Sequence, residues 1–324
     1  MATIADIKKP VAAEMREFES YFSRTLRSDI PFFHLILNNI IRRKGKQIRP
    51  LLVFLSARLN GTINETTFVA ATFIELLHTA TLVHDDVVDD AAERRGLPSI
   101  NVLYNSKIAV LLGDYLLAQG LLISVEKESY KMLEIVSDAV REIFRGELVQ
   151  LQKTRKLDIR EEDYFEIIRM KTAALIMACT ACGTSSVTGD EETISRMKSF
   201  GENVGIAFQI KDDLLDYSGK GLTGKLEGND IKEKKITLPL IHALRSTGPL
   251  ERRRIKRLIR RKRKGRKEIN EVIKFVKEHG GLEYAESKMQ EYCDRAIHIL
   301  DDYEDSDVKS ALIEFVIFST LRKK

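Results

Sequence analysis

The chain has 324 residues, 44% of them hydrophobic, and a formal net charge of +5. This length fits one large domain or two ordinary ones, and 3 Cys are too few for a disulfide framework. Few Pro and Gly residues favour helices. No uninterrupted apolar run reaches the roughly 20 residues of a membrane span, and the N-terminus has no signal-peptide core, so we expect a cytoplasmic protein.

The basic charge is concentrated in one block. Residues 252–267 contain 12 basic and no acidic side chains, so removing them from a net charge of +5 leaves −7. The favoured interpretation is a solvated surface helix and turn whose apolar stripe is Ile255, Leu258 and Ile259. Contact with anionic lipid is the main alternative and would give peripheral membrane association. Contact with nucleic acid is not expected.

Helical periodicity begins in residues 11–42, in two segments that separate near residues 28–31. The basic stretch 42–50 follows, where Lys46 and Arg49 lie three residues apart. This stretch is interpreted either as a charged loop or as a pocket for an anion such as diphosphate. Further helices are predicted over 106–126, 131–152, 161–182, 193–217 and 268–321. No strand pattern or domain boundary is evident, so we expect a single all-α domain spanning residues 1–324.

A cluster of aspartates ends the apolar helical stretch that starts at residue 68. Asp85, Asp86, Asp89 and Asp90 fall within six residues. Because residues i and i+4 share a helix face, Asp85 and Asp89 point the same way and repel each other. The cluster is either an acidic helix end facing solvent or a site for a hard cation, Mg²⁺ before Zn²⁺. His78, two turns earlier, is equally a core residue or a ligand.

A second aspartate motif repeats this spacing about 120 residues later. Asp212, Asp213 and Asp216 lie in another apolar helical run. Two such motifs can face each other across a cavity and share metal ions, which favours the metal interpretation of both. Lys171 interrupts an apolar helix, where a lysine is costly unless paired, and is therefore a plausible phosphate ligand.

Two further segments carry reactive residue types. Lys225 and Lys235 belong to a Gly-rich and Lys-rich segment that is typical of a lid or a phosphate clamp. Cys179 and Cys182 form a CxxC within a run of small residues. We interpret these two cysteines as core residues rather than as a redox or metal site.

Six stretches, taken together, resemble the trans-isoprenyl diphosphate synthases, also called the polyprenyl synthetase family. They are GKQIRP (45–50), LLHTATLVHDDVVDDAAERRGLPS (76–99), GDYLLA (113–118), KTA (171–173), FQIKDDLLDYSG (208–219) and GKLEGNDIKEKKITLPLI (224–241). The resemblance covers nearly the whole chain and points to long-chain members such as the octaprenyl, heptaprenyl and solanesyl diphosphate synthases. It implies an all-α isoprenoid synthase bundle around a deep central cavity, and a homodimer. The implied reaction joins farnesyl or geranylgeranyl diphosphate to successive isopentenyl diphosphates by Mg²⁺-dependent ionisation, condensation and elimination.

The resemblance also assigns roles to individual residues. It implies Asp85, Asp89 and Asp212 as ligands of about three Mg²⁺ ions per site. Asp86, Asp213 and Asp216 would support them. The allylic diphosphate would be bound by Arg94, Lys171, Thr172, Gln209, Lys225 and Lys235. Isopentenyl diphosphate would be bound by Lys46, Arg49, His78 and Arg95. The residues expected to act in catalysis are Asp85, Asp89, Arg94, Lys171, Asp212 and Lys225.

The length of the product is predicted from the residues before Asp85. Short-chain members of this family place Phe or Tyr four or five residues before the first aspartate, as a floor; here Thr81 and Ala80 stand there. Leu77 and Phe73 lie deeper and are either core residues or cavity wall. One helical turn rises about as far as one isoprene unit extends, and no floor stands in the first turn, so the resemblance implies a long all-trans product of about six to ten units. Such chains are quinone side-chain precursors.

Three other functions remain open from the sequence. One is a short-chain synthase that makes fifteen-carbon or twenty-carbon products. Another is a regulatory subunit of a heteromeric synthase, although such subunits tend to lose the aspartates that this chain retains. A terpene cyclase shares the fold and one aspartate motif, but normally carries a different second motif.

Overall fold

The computed structural model describes residues 3–42, 45–94, 96–156, 159–217, 228–261 and 264–320. Within these ranges the chain is almost entirely helical, so the predicted all-α class is confirmed. The helices are α1 (Ile4–Lys8), α2 (Ala12–Thr25), α3 (Pro31–Arg42), α4 (Ile48–Asn60), α5 (Glu65–Val88), α6 (Ile100–Tyr104), α7 (Ser106–Glu126), α8 (Tyr130–Lys156), α9 (Glu161–Ile168), α10 (Ala174–Ser185), α11 (Glu191–Asp216), α12 (Asn229–Lys232), α13 (Leu238–Arg245), α14 (Pro249–Arg260), α15 (Arg266–Glu278), α16 (Gly281–Ile299) and α17 (Asp307–Thr320). A 3₁₀ turn (Lys9–Val11) and a π-helical turn (Arg169–Ala173) join consecutive helices.

A small hairpin follows α5 and was not expected from the sequence. Its strands are β1 (Glu93–Arg94) and β2 (Leu97–Pro98), which pair antiparallel. Strands of two residues are too short to produce the alternating pattern by which a strand is recognised. The expectation of no strand was therefore wrong at this point.

The described chain divides into two compact units, each assembled from separate segments. The first unit comprises Met1–Asp138, Ile176–Gly201 and Ile299–Phe318. The second unit comprises Ala139–Leu175, Glu202–His298 and Ser319–Lys324. The single domain expected from the sequence stays a prediction.

Helices α5 and α7 pack closely against each other in the first unit. Asn64 caps α5, because its side chain accepts a hydrogen bond from the backbone N–H in the first turn. Gly113 and Gly120 lie on one face of α7, and a Cβ on either would overlap His84 or Phe73 of α5. The two glycines therefore let α7 approach closely the helix that carries the first aspartate motif.

Two described helices, α5 and α7, are long and apolar enough to span a membrane by length and composition alone. The expectation of no such segment relied on uninterrupted apolar runs, and a few polar residues break the run in both helices. The most apolar window of α5 is 61% buried within the protein, whereas that of α7 is only 39% buried. α5 is thus a core helix, and α7 has one open apolar face. The large apolar residues exposed on α7 are Val110, Leu111, Leu121, Leu122 and Val125.

Two other sequence interpretations are confirmed by burial. Cys179 and Cys182 are free and fully buried in α10, as expected for core residues. In the second unit, Ile255 and Ile259 of α14 are fully buried, so this part of the basic block is a surface helix anchored by its apolar stripe.

Candidate active site

The first aspartate motif lies at the C-terminal end of α5. Asp85 occupies the last turn and Asp89 is the C-cap, and both side chains are exposed. The C-terminal end of a helix carries a partial negative charge, which attracts cations. Two exposed carboxylates at this end therefore form a favourable place for a hard divalent ion.

Asp86 has a different environment from its neighbours in the motif. Its side chain is 3% exposed, and its Oδ1 accepts a hydrogen bond from Arg94 Nε at 2.7 Å. The Asn101 side chain donates to the Asp86 carbonyl oxygen at 3.3 Å. Asp86 thus fixes the position of Arg94 beside the motif. The Nη groups of Arg94 can still donate to an anion, because the bond to Asp86 uses only one of the five guanidinium donors.

A cavity of about 140 Å³ lies in the first unit next to this motif. His78 and Arg94 line it, together with apolar side chains such as Leu82 and Val83. Gln47, between the predicted anion ligands Lys46 and Arg49, also lines the cavity. The structure thus brings His78 and Arg94 to one cavity. Arg95 lies outside the described residues.

Lys46 and Arg49 belong to the first unit. Lys46 is exposed, and its Nζ lies 5.6 Å from the centroid of the Phe318 ring. Arg49 is half-buried in the first turn of α4. Their roles in binding isopentenyl diphosphate stay predictions.

A π-helical turn holds Lys171 and Thr172 in the second unit. The sequence predicted one continuous helix over 161–182, whereas this turn separates α9 from α10. An extra residue in the helical ladder rotates the side chains that follow, and such turns are frequent at functional sites. The Lys171 ammonium pairs with Glu147 and donates to Gln150. The half-buried lysine therefore has the partners that its burial requires.

A chain of hydrogen bonds connects this turn to the second aspartate motif. Thr172 Oγ1 donates to Gln209 Oε1 at 2.6 Å, and Gln209 Nε2 donates to Asp213 Oδ1 at 2.8 Å. The Tyr164 hydroxyl donates to Asp213 Oδ2 at 2.7 Å. Tyr164 of α9 was not predicted from the sequence as a site residue. The only available signal was that a buried tyrosine hydroxyl needs a partner.

The carboxylates of the second motif are electrostatically crowded. Burial, together with the nearby Asp230, raises the pKa of the Asp213 carboxyl to about 8. Burial and the neighbouring Asp216 raise the pKa of Asp230 to about 6. Asp212 is exposed. Asp213 therefore retains its proton near neutral pH, and Asp212 is the carboxylate best suited to bind a cation that would relieve this crowding.

Asp216 caps the short helix α12 rather than pointing to open space. Its two oxygens accept hydrogen bonds from the backbone N–H groups of Asn229 and Asp230, at 3.0 and 3.2 Å. Lys235 Nζ lies 2.6 Å from Glu233 and 3.9 Å from Asp230. Lys225 lies outside the described residues.

The aspartates of the two motifs fit Mg²⁺ if substrate phosphates and water supply its remaining ligands. Among the described residues, no group of three or more His, Cys, Asp or Glu side chains is assembled to hold a metal ion. Mg²⁺ is commonly bound by one or two carboxylates, with substrate phosphates and water completing its shell. Asp85, Asp89 and Asp212 have this character, because each is an exposed carboxylate.

The residues predicted to set the length of the product belong to the middle and later turns of α5. Ala80 is fully buried, Leu77 is 1% exposed and Phe73 is 3% exposed. Thr81 is half-buried, and its hydroxyl donates to the His78 carbonyl oxygen at 2.9 Å. No aromatic residue is present at the fourth or fifth position before Asp85.

Comparison with known proteins identifies the family. The sequence model of the polyprenyl synthetase family matches residues 31–276. The chain belongs to the polyprenyl synthetase family. Among relatives, it is 33% identical to the octaprenyl diphosphate synthase of Haemophilus influenzae, over 99% of this chain and 98% of that protein. It is 35% identical to a short-chain isoprenyl diphosphate synthase of Methanothermobacter thermautotrophicus, over 85% of each chain.

A solved polyprenyl synthetase has the same fold. The crystal structure of a polyprenyl synthase from Caulobacter crescentus superimposes with a TM-score of 0.90 at 32% identity, over 99% of this chain and 98% of that one. That structure is a complex with calcium and isoprenyl diphosphate. The family resemblance inferred from the six stretches is therefore confirmed.

Removal of the Tyr164 hydroxyl is expected to destabilise this polyprenyl synthetase. The Tyr164→Phe change leaves one oxygen of buried Asp213 without its donor, which typically costs about 1–3 kcal/mol. In the unmodified protein, the hydrogen bond from Tyr164 lowers the pKa of Asp213, which is about 8. Without this bond the pKa of Asp213 in the folded variant is higher, so the variant loses additional stability as the pH rises through about 8. Urea unfolding at pH 6 and pH 9 measures this.

The exposed Tyr130 provides the control for this prediction. The Tyr130→Phe variant should keep its free energy of unfolding within about 0.5 kcal/mol of the unmodified protein. Equal stability of both variants at both pH values would contradict the role given to Tyr164.

Proposed function

We propose that this protein is a Mg²⁺-dependent polyprenyl diphosphate synthase. It joins an allylic diphosphate, farnesyl or geranylgeranyl diphosphate, to successive isopentenyl diphosphates and makes a long all-trans chain. The observation that carries this proposal is the end of α5. There, exposed Asp85 in the last turn and exposed Asp89 at the C-cap come one turn or slightly more after small Ala80 and half-buried Thr81.

We propose Asp85, Asp89 and Asp212 as the protein ligands of about three Mg²⁺ ions. When bound, Mg²⁺ neutralises charge on the departing diphosphate. The three carboxylates are suited to this role because they are exposed, whereas Asp86 is buried against Arg94 and Asp213 is buried against Tyr164 and Gln209. Asp86, Asp213 and Asp216 act indirectly, by holding Arg94, Gln209 and the start of α12.

Cationic side chains complete the proposed binding of diphosphates. Charge-assisted hydrogen bonds from arginine and lysine hold the phosphate oxygens and stabilise the negative charge that develops as the C–O bond breaks. For the allylic diphosphate we propose Arg94, Lys171, Thr172, Gln209, Lys225 and Lys235. For isopentenyl diphosphate we propose Lys46, Arg49, His78 and Arg95.

The reaction itself needs little from a side-chain base. The allylic C–O bond breaks, and the double bond of isopentenyl diphosphate forms the new C–C bond to the allylic carbon. The resulting cation then loses a proton to the released diphosphate, and this loss forms a new double bond in the product. The chain's contribution is to position the substrates and to exclude water, which would otherwise capture the carbocation.

We also infer a homodimer formed through the open face of α7. The exposed leucines and valines of that face are between 40% and 51% accessible and follow one another at helical spacing. A contiguous apolar face of this kind marks an interaction site. A second copy fits it best, because the exposed side chains of this face are mostly apolar, and Lys107 and Asp114 are the charged ones among them.

The Leu121→Glu, Leu122→Glu double variant is expected to be monomeric. Two buried charges at an apolar interface oppose association strongly, so sedimentation should give about half the mass of the unmodified protein. The Leu250→Glu variant changes a leucine on α14 that is 83% exposed and should leave the dimer intact. A double variant that sediments as the unmodified protein does would contradict this interface.

Release of pyrophosphate tests the proposed function. The purified protein is incubated with farnesyl diphosphate, isopentenyl diphosphate and Mg²⁺. We expect release that requires both substrates and stops with a chelator. Release from farnesyl diphosphate alone would instead favour a terpene cyclase, and no release at all would favour a regulatory subunit.

A further inference from the structure

The arginines of α14, together with Arg261 directly after it, fall into two groups. One group is held by the second unit itself. Its members are Arg252, which donates to the carbonyl oxygens of Leu244 and Thr247, Arg254, which pairs with Glu271, and Arg261, which pairs with Glu268. These arginines fasten the helix to its neighbours and are not available to a partner.

The other group faces outward. Arg253, Arg257 and Arg260 are exposed, and none forms an ion pair with any residue in the described part of the chain. At 100° per residue, these three and Leu250 fall within an arc of about 80° on the helix. Leu250 is 83% exposed. We call Leu250, Arg253, Arg257 and Arg260 the outer face of α14.

The opposite side of the helix fixes this face in place. Ile255 and Ile259 are fully buried, and Arg252 Nε donates to the Leu244 carbonyl oxygen at 2.7 Å. The outer face is therefore preformed, and a partner that binds it need not order a flexible segment. Preformed charge raises affinity by reducing the entropy lost on binding.

We propose that the outer face of α14 binds the anionic headgroups of a lipid bilayer. Three guanidinium groups without acidic partners attract a negative surface, at about 1 kcal/mol each near a charged bilayer, or about fivefold in partition. An exposed leucine beside them suits the boundary between headgroups and acyl chains. Leu250 has no comparable role against a phosphodiester backbone, which favours lipid over nucleic acid.

This inference rests on the proposed function in one respect. A synthase of long prenyl chains makes a product that is mostly hydrocarbon and therefore has to reach a membrane. A surface that holds the enzyme against the bilayer shortens that transfer. Binding to the bilayer does not itself require catalysis, so the two can be tested apart.

Cosedimentation with lipid vesicles tests the proposal. We expect the protein to bind phosphatidylcholine vesicles containing about 30% phosphatidylglycerol, and not vesicles of phosphatidylcholine alone. Raising the salt from about 0.1 M to about 0.5 M should weaken binding, because exposed charges are screened. The Arg253→Gln, Arg257→Gln, Arg260→Gln triple variant should partition on the order of 100-fold less onto the anionic vesicles.

A matched control removes the same charge elsewhere. Arg16, Arg24 and Arg27 are also exposed, and the triple change of these residues to Gln should leave vesicle binding near that of the unmodified protein. Leu250→Gln should weaken binding severalfold without changing the net charge. Pyrophosphate release is measured on every variant, so that loss of catalysis is distinguished from loss of binding.

Three results would overturn the proposal. The two triple variants could lose binding equally, which would mean that vesicle binding depends on the net charge of the protein and not on the outer face of α14. The protein could bind neutral and anionic vesicles equally. It could also bind duplex DNA more tightly than anionic vesicles at the same salt concentration, which would assign the outer face to nucleic acid.

Discussion

The Asp85→Asn enzyme is expected to release pyrophosphate at least about 100-fold more slowly than the unmodified enzyme. Asparagine has the same shape but no charge, so it removes one anionic ligand from the end of α5 while leaving the helix intact. The Asp212→Asn change should have a comparable effect. Steady-state rates measured over a series of Mg²⁺ concentrations should show that both variants need more Mg²⁺ for half-maximal activity and recover part of their activity at high Mg²⁺.

Asp90 offers a matched control for these variants. It is exposed in the same motif, has no assigned role, and adopts a φ of 49° that asparagine also tolerates. The Asp90→Asn enzyme should keep most of its activity, and all three variants should unfold within about 0.5 kcal/mol of the unmodified protein. Full turnover by Asp85→Asn would reject its role as a metal ligand.

A larger side chain at position 80 or 81 is expected to shorten the product to about fifteen or twenty carbons. A phenylalanine ring there lies one turn or slightly more from Asp85, so it would stop the growing chain after the first few isoprene units. Thr81→Phe is the safer variant, because Thr81 is half-buried, whereas Ala80 is fully buried. Mass analysis of the extracted products measures their length.

Thr66→Phe provides the comparison for product length. Thr66 lies on the same helix, is also half-buried, and gains the same volume, but it is far from Asp85. Its product should match that of the unmodified enzyme. If Ala80→Phe loses about 1–3 kcal/mol of stability by overpacking and still makes the original product, position 80 faces protein core instead of substrate.

The helices were largely predictable from local sequence. The predicted limits of 106–126 coincide with α7 (Ser106–Glu126), and the break near residues 28–31 separates α2 from α3 as expected. The periodic spacing of apolar residues is a property of a short stretch of sequence, so it predicts a helix without knowledge of the tertiary contacts. The π-helical turn Arg169–Ala173 was not predicted, because one inserted residue leaves no mark in composition or periodicity.

The division of labour among the aspartates was only partly predictable. The i, i+4 spacing correctly placed Asp85 and Asp89 together at an exposed helix end. The burial of Asp86 against Arg94, the capping of α12 by Asp216, and the bond from Tyr164 to Asp213 join residues that are 8, 13 and 49 positions apart. Such contacts are set by tertiary packing, which one sequence does not reveal.

The length of the prenyl chain made by the purified protein tests the central claim most directly. The protein is given farnesyl diphosphate, excess isopentenyl diphosphate and Mg²⁺, and the products are analysed by mass. The absence of a floor at Ala80 and Thr81, together with the resemblance to long-chain members of the family, predicts products of about six to ten isoprene units. Products that stop at twenty carbons, or farnesyl diphosphate that is not extended at all, would contradict it.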